Sequence, residues 1–151
     1  MLDADAKRLI GAFPLGFVAT VTPEGRPAVS PKGTFLVLED ACVGFGNIRS
    51  PGTLRNLAVS PHAEVNFIDP FARKGLRLRG ATRVLAKGSD AFGALIPQWE
   101  RTWGDLAARV GDLVLIDIEA AGAVTTPPYD EGVTKQEMIA AYKAKYAEIY
   151  P

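Results

Sequence analysis

The chain is short of the residues that most simple catalytic sites need. It has one cysteine, Cys42, and one histidine, His62, in 151 residues. A lone cysteine excludes an intrachain disulfide and any cysteine-based metal centre. A single imidazole leaves no histidine cluster for a metal and no plain serine–histidine or cysteine–histidine pair. No metal site is therefore expected. His62 follows Pro61 at a helix-to-strand turn and reads as a surface residue, and Cys42, within an apolar strand pattern, reads as a small core hydrophobe.

Charge of one sign is also lacking. Lys plus Arg and Asp plus Glu number 17 each, so the formal net charge is zero. A general nucleic-acid or anionic-membrane binder would show a basic excess, so neither partner is expected. A local cluster for one small anion is still allowed. The N-terminus carries acidic residues where a secretory signal would be basic, and no long apolar run follows. A cytoplasmic location is the expectation.

What is present is a β-rich chain with helices between strands. An apolar fraction of 48% in one domain-sized length suits a single packed core. Leu2, Ala6, Leu9, Ile10 and Phe13 recur at helical spacing up to Pro14. Strands are expected over 16–21, 27–30 with 34–38, 41–46, 63–68, 74–85 and 112–118. The turn Pro23-Glu24-Gly25-Arg26 closes the first hairpin. Helices are expected after Ser50-Pro51, over 89–106, and after Thr134, where Glu137 completes a capping-box spacing. The pattern predicts a mainly β, antiparallel barrel with peripheral helices, its core over about 10–125 and a C-terminal helix over about 134–150, all in one domain.

The stretch that could carry chemistry is Phe45-Gly-Asn-Ile-Arg-Ser-Pro-Gly-Thr-Leu-Arg-Asn-Leu57. A strand ends at glycine, a polar loop follows, and a helix begins. The first N–H groups of a helix have no backbone partner and carry partial positive charge, which favours an anion. Arg49, the hydroxyls of Ser50 and Thr53, and Lys32 from the neighbouring strand add to that character. Ordinary helix capping explains the same residues without a ligand.

Three segments together, GFVATVTPEGRPAVSPKGTFLVL, GFGNIRSPGTLRNLAVSPHAEVNF and GLRLRGATRVL, resemble the pyridoxamine 5′-phosphate oxidase-like family of FMN-binding split barrels. The likeness covers about residues 10–125. It implies a six-stranded antiparallel split barrel that forms a homodimer and holds FMN in grooves between subunits. By that resemblance Ser30, Pro31 and Lys32 flank the flavin ring and ribityl chain. Gly46, Asn47, Ile48 and Arg49 run beside the flavin, and Ser50 and Thr53 meet its phosphate. Arg55 falls near the family's basic positions but is not placed in the site, because a fifth helical position is as compatible with facing water. No side-chain acid or base stands out, so the catalytic residues are left unassigned. The arginine- and histidine-containing C-terminal segment of the true oxidases is missing, which argues against vitamin B6 oxidation. The resemblance implies an FMN-dependent oxidoreductase with an unassigned substrate. Alternatives are the deazaflavin F420 in the same fold, or a flavin carrier or electron-transfer module without catalysis.

Several other features have plainer readings. Arg77 and Arg79 share one strand face and read as solvated. Trp99 and Trp103 share a helical face and read as core or dimer packing, although either could border the flavin, as could Tyr129. The stripe Met138, Tyr142, Tyr146 and Ile149 is expected to dock the last helix on the barrel or on a second chain.

Overall fold

The computed structural model describes all 151 residues. The chain opens with helix α1 (Ala4–Ala12), capped by Asp3, whose carboxylate accepts from the Ala6 N–H at 2.8 Å. Strands β1 (Gly16–Val21), β2 (Pro27–Lys32), β3 (Phe35–Glu39) and β4 (Cys42–Asn47) follow, then helix α2 (Pro51–Val59). Strands β5 (His62–Asp69) and β6 (Lys74–Ala86) lead to helix α3 (Asp90–Trp103) and a 3₁₀ segment, Gly104–Arg109. Strand β7 (Asp112–Val124) and helix α4 (Lys135–Ile149) complete the fold.

All strands belong to one antiparallel sheet in the order β2-β1-β5-β6-β7-β4-β3. The sheet curls until β2 approaches β4 without pairing to it. That unpaired approach is the split of the barrel, and Lys32 Nζ bridges it to within 5.8 Å of the Phe45 ring centre. Seven strands form where six were expected. The stretch read as one interrupted strand over 27–38 is two strands on opposite edges of the sheet, parted at Gly33-Thr34. Strand β7 also runs six residues past its expected end, with a register shift opposite Arg79 and Gly80 that skips Glu119.

Alternation puts Val18, Phe35, Val43, Phe45, Val65, Phe67 and Leu78 inside the barrel, where the rings of Phe45 and Phe67 flank that of Phe35. Leu2 and Ile10 of the α1 stripe close one end. A second core lies on the outer face of the sheet, where Phe92, Trp99, Ala107 and Val110 cover Leu113. Gly44 and Gly46 make that layer possible. A Cβ on Gly44 would sit 2.8 Å from Leu115, and one on Gly46 would sit 2.7 Å from Val110.

The plainer readings largely hold. Trp99 is 1% exposed, and its indole N–H donates to the Thr34 carbonyl at 2.8 Å. Cys42 is buried, and burial pushes its thiol up to about 11, so it is an inert core thiol at neutral pH. His62 is exposed, 3.8 Å from Glu119. Arg77 pairs with Glu64 at 3.2 Å on the outer face. Helix α4 is capped by the Thr134–Glu137 box, and Tyr146 stacks edge-on against Phe71 at 5.3 Å, docking α4 on the β5–β6 turn. The Tyr129 hydroxyl donates to the Ala72 carbonyl at the same turn. No helix is long and apolar enough to cross a membrane.

Candidate cofactor cleft

The β1–β2 hairpin and the first turn of α2 enclose a cleft of about 400 Å³ beside the barrel's split. Its walls include Thr20, Ser30, Ser50, Thr53, Arg55 and Asn56. The position of α2 is set by Asn56, whose side-chain amide donates to the Thr20 hydroxyl at 2.9 Å, and by Leu57 in the barrel core. Both partners of that hydrogen bond are buried, so it fixes how the helix start faces the hairpin.

Ser50 stands at the N-cap of α2 but makes no capping bond. Its hydroxyl is held by Lys32 Nζ instead, and Lys32 also donates to the Ser30 hydroxyl at 2.9 Å. The consequence lies one turn on. The backbone N–H groups of Gly52 and Thr53 have no partner in the protein, and a Cβ on Gly52 would meet nothing nearer than Arg55 Nη2 at 4.0 Å. Two amides at the positive end of a helix thus open onto free space.

Lys32 is 5% exposed and has no carboxylate partner. Burial holds its pKa below the usual lysine value, because a dehydrated ammonium is disfavoured. Arg55 adds an exposed cation at the cleft mouth, and Glu24, on the hairpin turn, is the one carboxylate there. Two residues beyond Phe45, on the same side of β4, Asn47 is 5% exposed and its Oδ1 has no partner. A buried acceptor left empty costs about 1–3 kcal/mol, so a donor from a ligand would relieve it.

These features fit a phosphate-bearing, hydrogen-bonding cofactor such as FMN. Free amides, hydroxyls and cations suit the phosphate, and the orphaned amide of Asn47 can take a ring or ribityl donor.

Of the residues expected in the site, the structure brings Ser30, Ser50 and Thr53 into the cleft wall. Lys32 is buried and is not a wall residue, but it is hydrogen-bonded to the hydroxyls of Ser30 and Ser50. Asn47 is buried at the end of β4 and is not part of the cleft wall. Four others lie elsewhere. Pro31 points to the outer face, since neighbours in a strand alternate. Gly46 faces Val110 and the second core, and Ile48 packs on that core. Arg49 is exposed in the loop and is not part of the cleft wall. Arg55, Asn56 and Thr20 are wall residues that sequence reasoning left out. The signal for Arg55 was available, because it lies three positions after Gly52 and so shares the face of the free amides.

A curled antiparallel sheet left unzipped at one seam, with an anion-ready helix start beside it, defines a split barrel. The model of the pyridoxamine 5′-phosphate oxidase family matches residues 2–148, and the chain belongs to that family. Three solved structures show how varied the fold's bearers are. HutZ, the heme storage protein from Vibrio cholerae, superposes with a TM-score of 0.67 at 22% identity, covering 82% of this chain and 94% of that one. An FMN-binding protein from Syntrophomonas wolfei gives 0.65 at 14% identity, covering 81% and 85%. An F420 reductase gives 0.62 at 19% identity, covering 80% and 98%. Identities this low establish the fold alone. No curated protein matches the chain significantly.

Proposed function

We propose that this protein is an FMN-dependent oxidoreductase that works as a homodimer. The observation that carries the reading is the pair of unpartnered amides at Gly52 and Thr53, with Arg55 in the same cleft wall. Bound FMN supplies hydride and electron transfer. The chain's own part is to hold and surround it. The α2 amides and the Thr53 hydroxyl bind the phosphate, Arg55 screens its outer charge, and Asn47 offers an acceptor to a polar group of the flavin. The alternatives differ in the ligand. F420 carries its phosphate as a diester, and haem iron takes an axial donor such as imidazole, whereas the one imidazole here, His62, lies outside the cleft.

The dimer reading rests on the outer face of β1 and β2. Phe17, Val21 and Val29 are 43%, 43% and 65% exposed, and Phe17 pairs across the strands with Pro31. Val29 belongs both to this apolar stripe and to the cleft wall, so a second copy seated on the stripe would also complete the cleft. Light scattering is expected to give twice the 16.1 kDa chain mass. A monomer at micromolar concentration contradicts the dimer.

The purified protein is expected to be yellow, or to become so on adding FMN, and the bound flavin to be bleached by NADH or NADPH and reoxidised by an acceptor. Bleaching by neither nucleotide points to the carrier alternative. Arg55→Ala is expected to weaken FMN binding by about 1.5–3 kcal/mol, as for a hydrogen bond to a charged group. Arg49→Ala is expected to cost less than about 1 kcal/mol, as for an exposed charge acting at a distance. Calorimetric titration of both variants checks the order, and a larger loss for Arg49→Ala reverses it.

A further inference from the structure

We infer that a second cavity, on the outer face of the sheet beside α3, binds a small aliphatic amine. The alkyl chain would lie on the cavity's apolar lining and the ammonium at its carboxylate rim. The cavity shares no wall residue with the cofactor cleft, so this site stands or falls apart from flavin binding.

The cavity measures about 410 Å³, within the range of small-molecule sites. It forms at the margin of the outer core, where Leu38 of β3 and Leu95 of α3 are only half-buried. Leu115 and Cys42, both buried, add to the apolar lining. No aromatic ring lines it, so there is nothing to stack on a flat ligand, and an alkyl chain is the better match. Four charged side chains share the wall: Glu39, Arg83, Asp117 and Glu119. Arg83 is taken up by Asp117 through two bonds of 2.7 and 2.8 Å, a fork that leaves both groups paired. Neither Glu39 nor Glu119 has a lysine or arginine partner, and only His62, at 3.8 Å from Glu119, comes near. The rim therefore carries uncompensated negative charge in a chain whose net charge is zero. A carboxylate or phosphate ligand is repelled there, whereas an ammonium is matched. An alkylammonium answers the lining and the rim together. No wall residue belongs to β1 or β2, so the cavity lies apart from the stripe of Phe17 and Val29 assigned to a second copy.

The experiment titrates the purified protein, with and without FMN, with n-hexylammonium, n-butylammonium, hexanol and hexanoate, and follows backbone amide NMR shifts. Hexylammonium is expected to shift the amides of Leu38, Ala81 and Leu95 saturably, with roughly millimolar affinity for so small a probe. Each methylene taken from water adds about threefold to fourfold, so hexylammonium is expected to bind roughly tenfold tighter than butylammonium. Hexanoate is expected to leave these amides unmoved. Glu39→Gln and Glu119→Gln are each expected to weaken hexylammonium by about two- to fivefold, the value of an exposed ion pair, and to leave hexanol unchanged. Ala41→Leu, at an exposed wall position, is expected to fill the cavity and abolish the gain from a longer chain.

Hexanoate that binds as tightly as hexylammonium, or an affinity indifferent to chain length, overturns the amine site. So does saturation with shifts confined to other parts of the protein, or no saturable binding at all. Cavity amides that shift on diluting the protein, and not on adding amine, overturn it in favour of a second copy of the chain. Each of these outcomes can be read whether or not FMN binds.

Discussion

Trp99→Ala is expected to destabilise the protein by about 3–5 kcal/mol, the range for emptying a fully buried aromatic site. The indole is 1% exposed, contributes to the outer core with Phe92, Val110 and Leu113, and is within 3.3 Å of where a Gly44 Cβ would stand. Its N–H is also the partner of the Thr34 carbonyl, in a residue only 7% exposed, so its removal leaves that acceptor dry. The damage reaches the cleft. The Thr34 hydroxyl donates to the Gly46 carbonyl at 3.0 Å and accepts from the Gly46 N–H at 2.9 Å, which ties the start of β3 to the end of β4. Lys32 precedes that tie by two residues and Asn47 follows it by one. Weaker FMN binding is therefore expected alongside the lower stability. Urea denaturation checks the first effect, and a loss below about 1 kcal/mol would mean the site collapses far more readily than its packing suggests.

Gly80→Ala is expected to be as severe, through a clash in place of a cavity. A Cβ at position 80 would overlap the Asp117 carbonyl oxygen and lie 2.7 Å from its carbon. These are backbone atoms of the neighbouring strand, so no side-chain rotation relieves the contact. The close approach arises at the β6–β7 bulge, where Gly80 faces Ile118 directly after Arg79 faces Ala120. Parting the strands there would break the ladder that joins the two halves of the sheet. A loss of about 3 kcal/mol or more is expected, at the upper end of overpacking effects. A melting temperature near wild type contradicts the bulge geometry. Gly80 is not a cleft-wall residue, so any folded fraction is expected to retain FMN binding.

Much of this architecture was legible because its signals are local. Period-two alternation marked most of the strands, Ser50-Pro51 marked the start of α2, and the Thr134–Glu137 spacing gave a capping box that the structure contains. What was hidden depends on distant partners. The break between β2 and β3 is fixed at Thr34 by Trp99, 65 residues away, and by Gly46 on the neighbouring strand β4. The run Glu-Ala-Ala-Gly-Ala in β7 has no alternation, so neither its bulge nor its full length shows in the pattern.

The site divides in the same way. The family's order of motifs located the helix start and its hydroxyls. Alternation alone could have moved Pro31 out of the cleft, since it must face away from Ser30 and Lys32. That Lys32, a residue type rarely buried, lies under the cleft and draws Ser50 from its helix depends on how the hairpin and α2 meet. No spacing in the sequence encodes that.

The central claim is that the start of α2 receives the phosphate of a flavin. Titrating the flavin-free protein with FMN in rising inorganic phosphate tests it most directly. One FMN per chain, with an apparent affinity that falls as phosphate competes for the Gly52 and Thr53 amides, is the predicted result. Flavin that does not bind, or that binds with an affinity indifferent to phosphate at constant ionic strength, contradicts it.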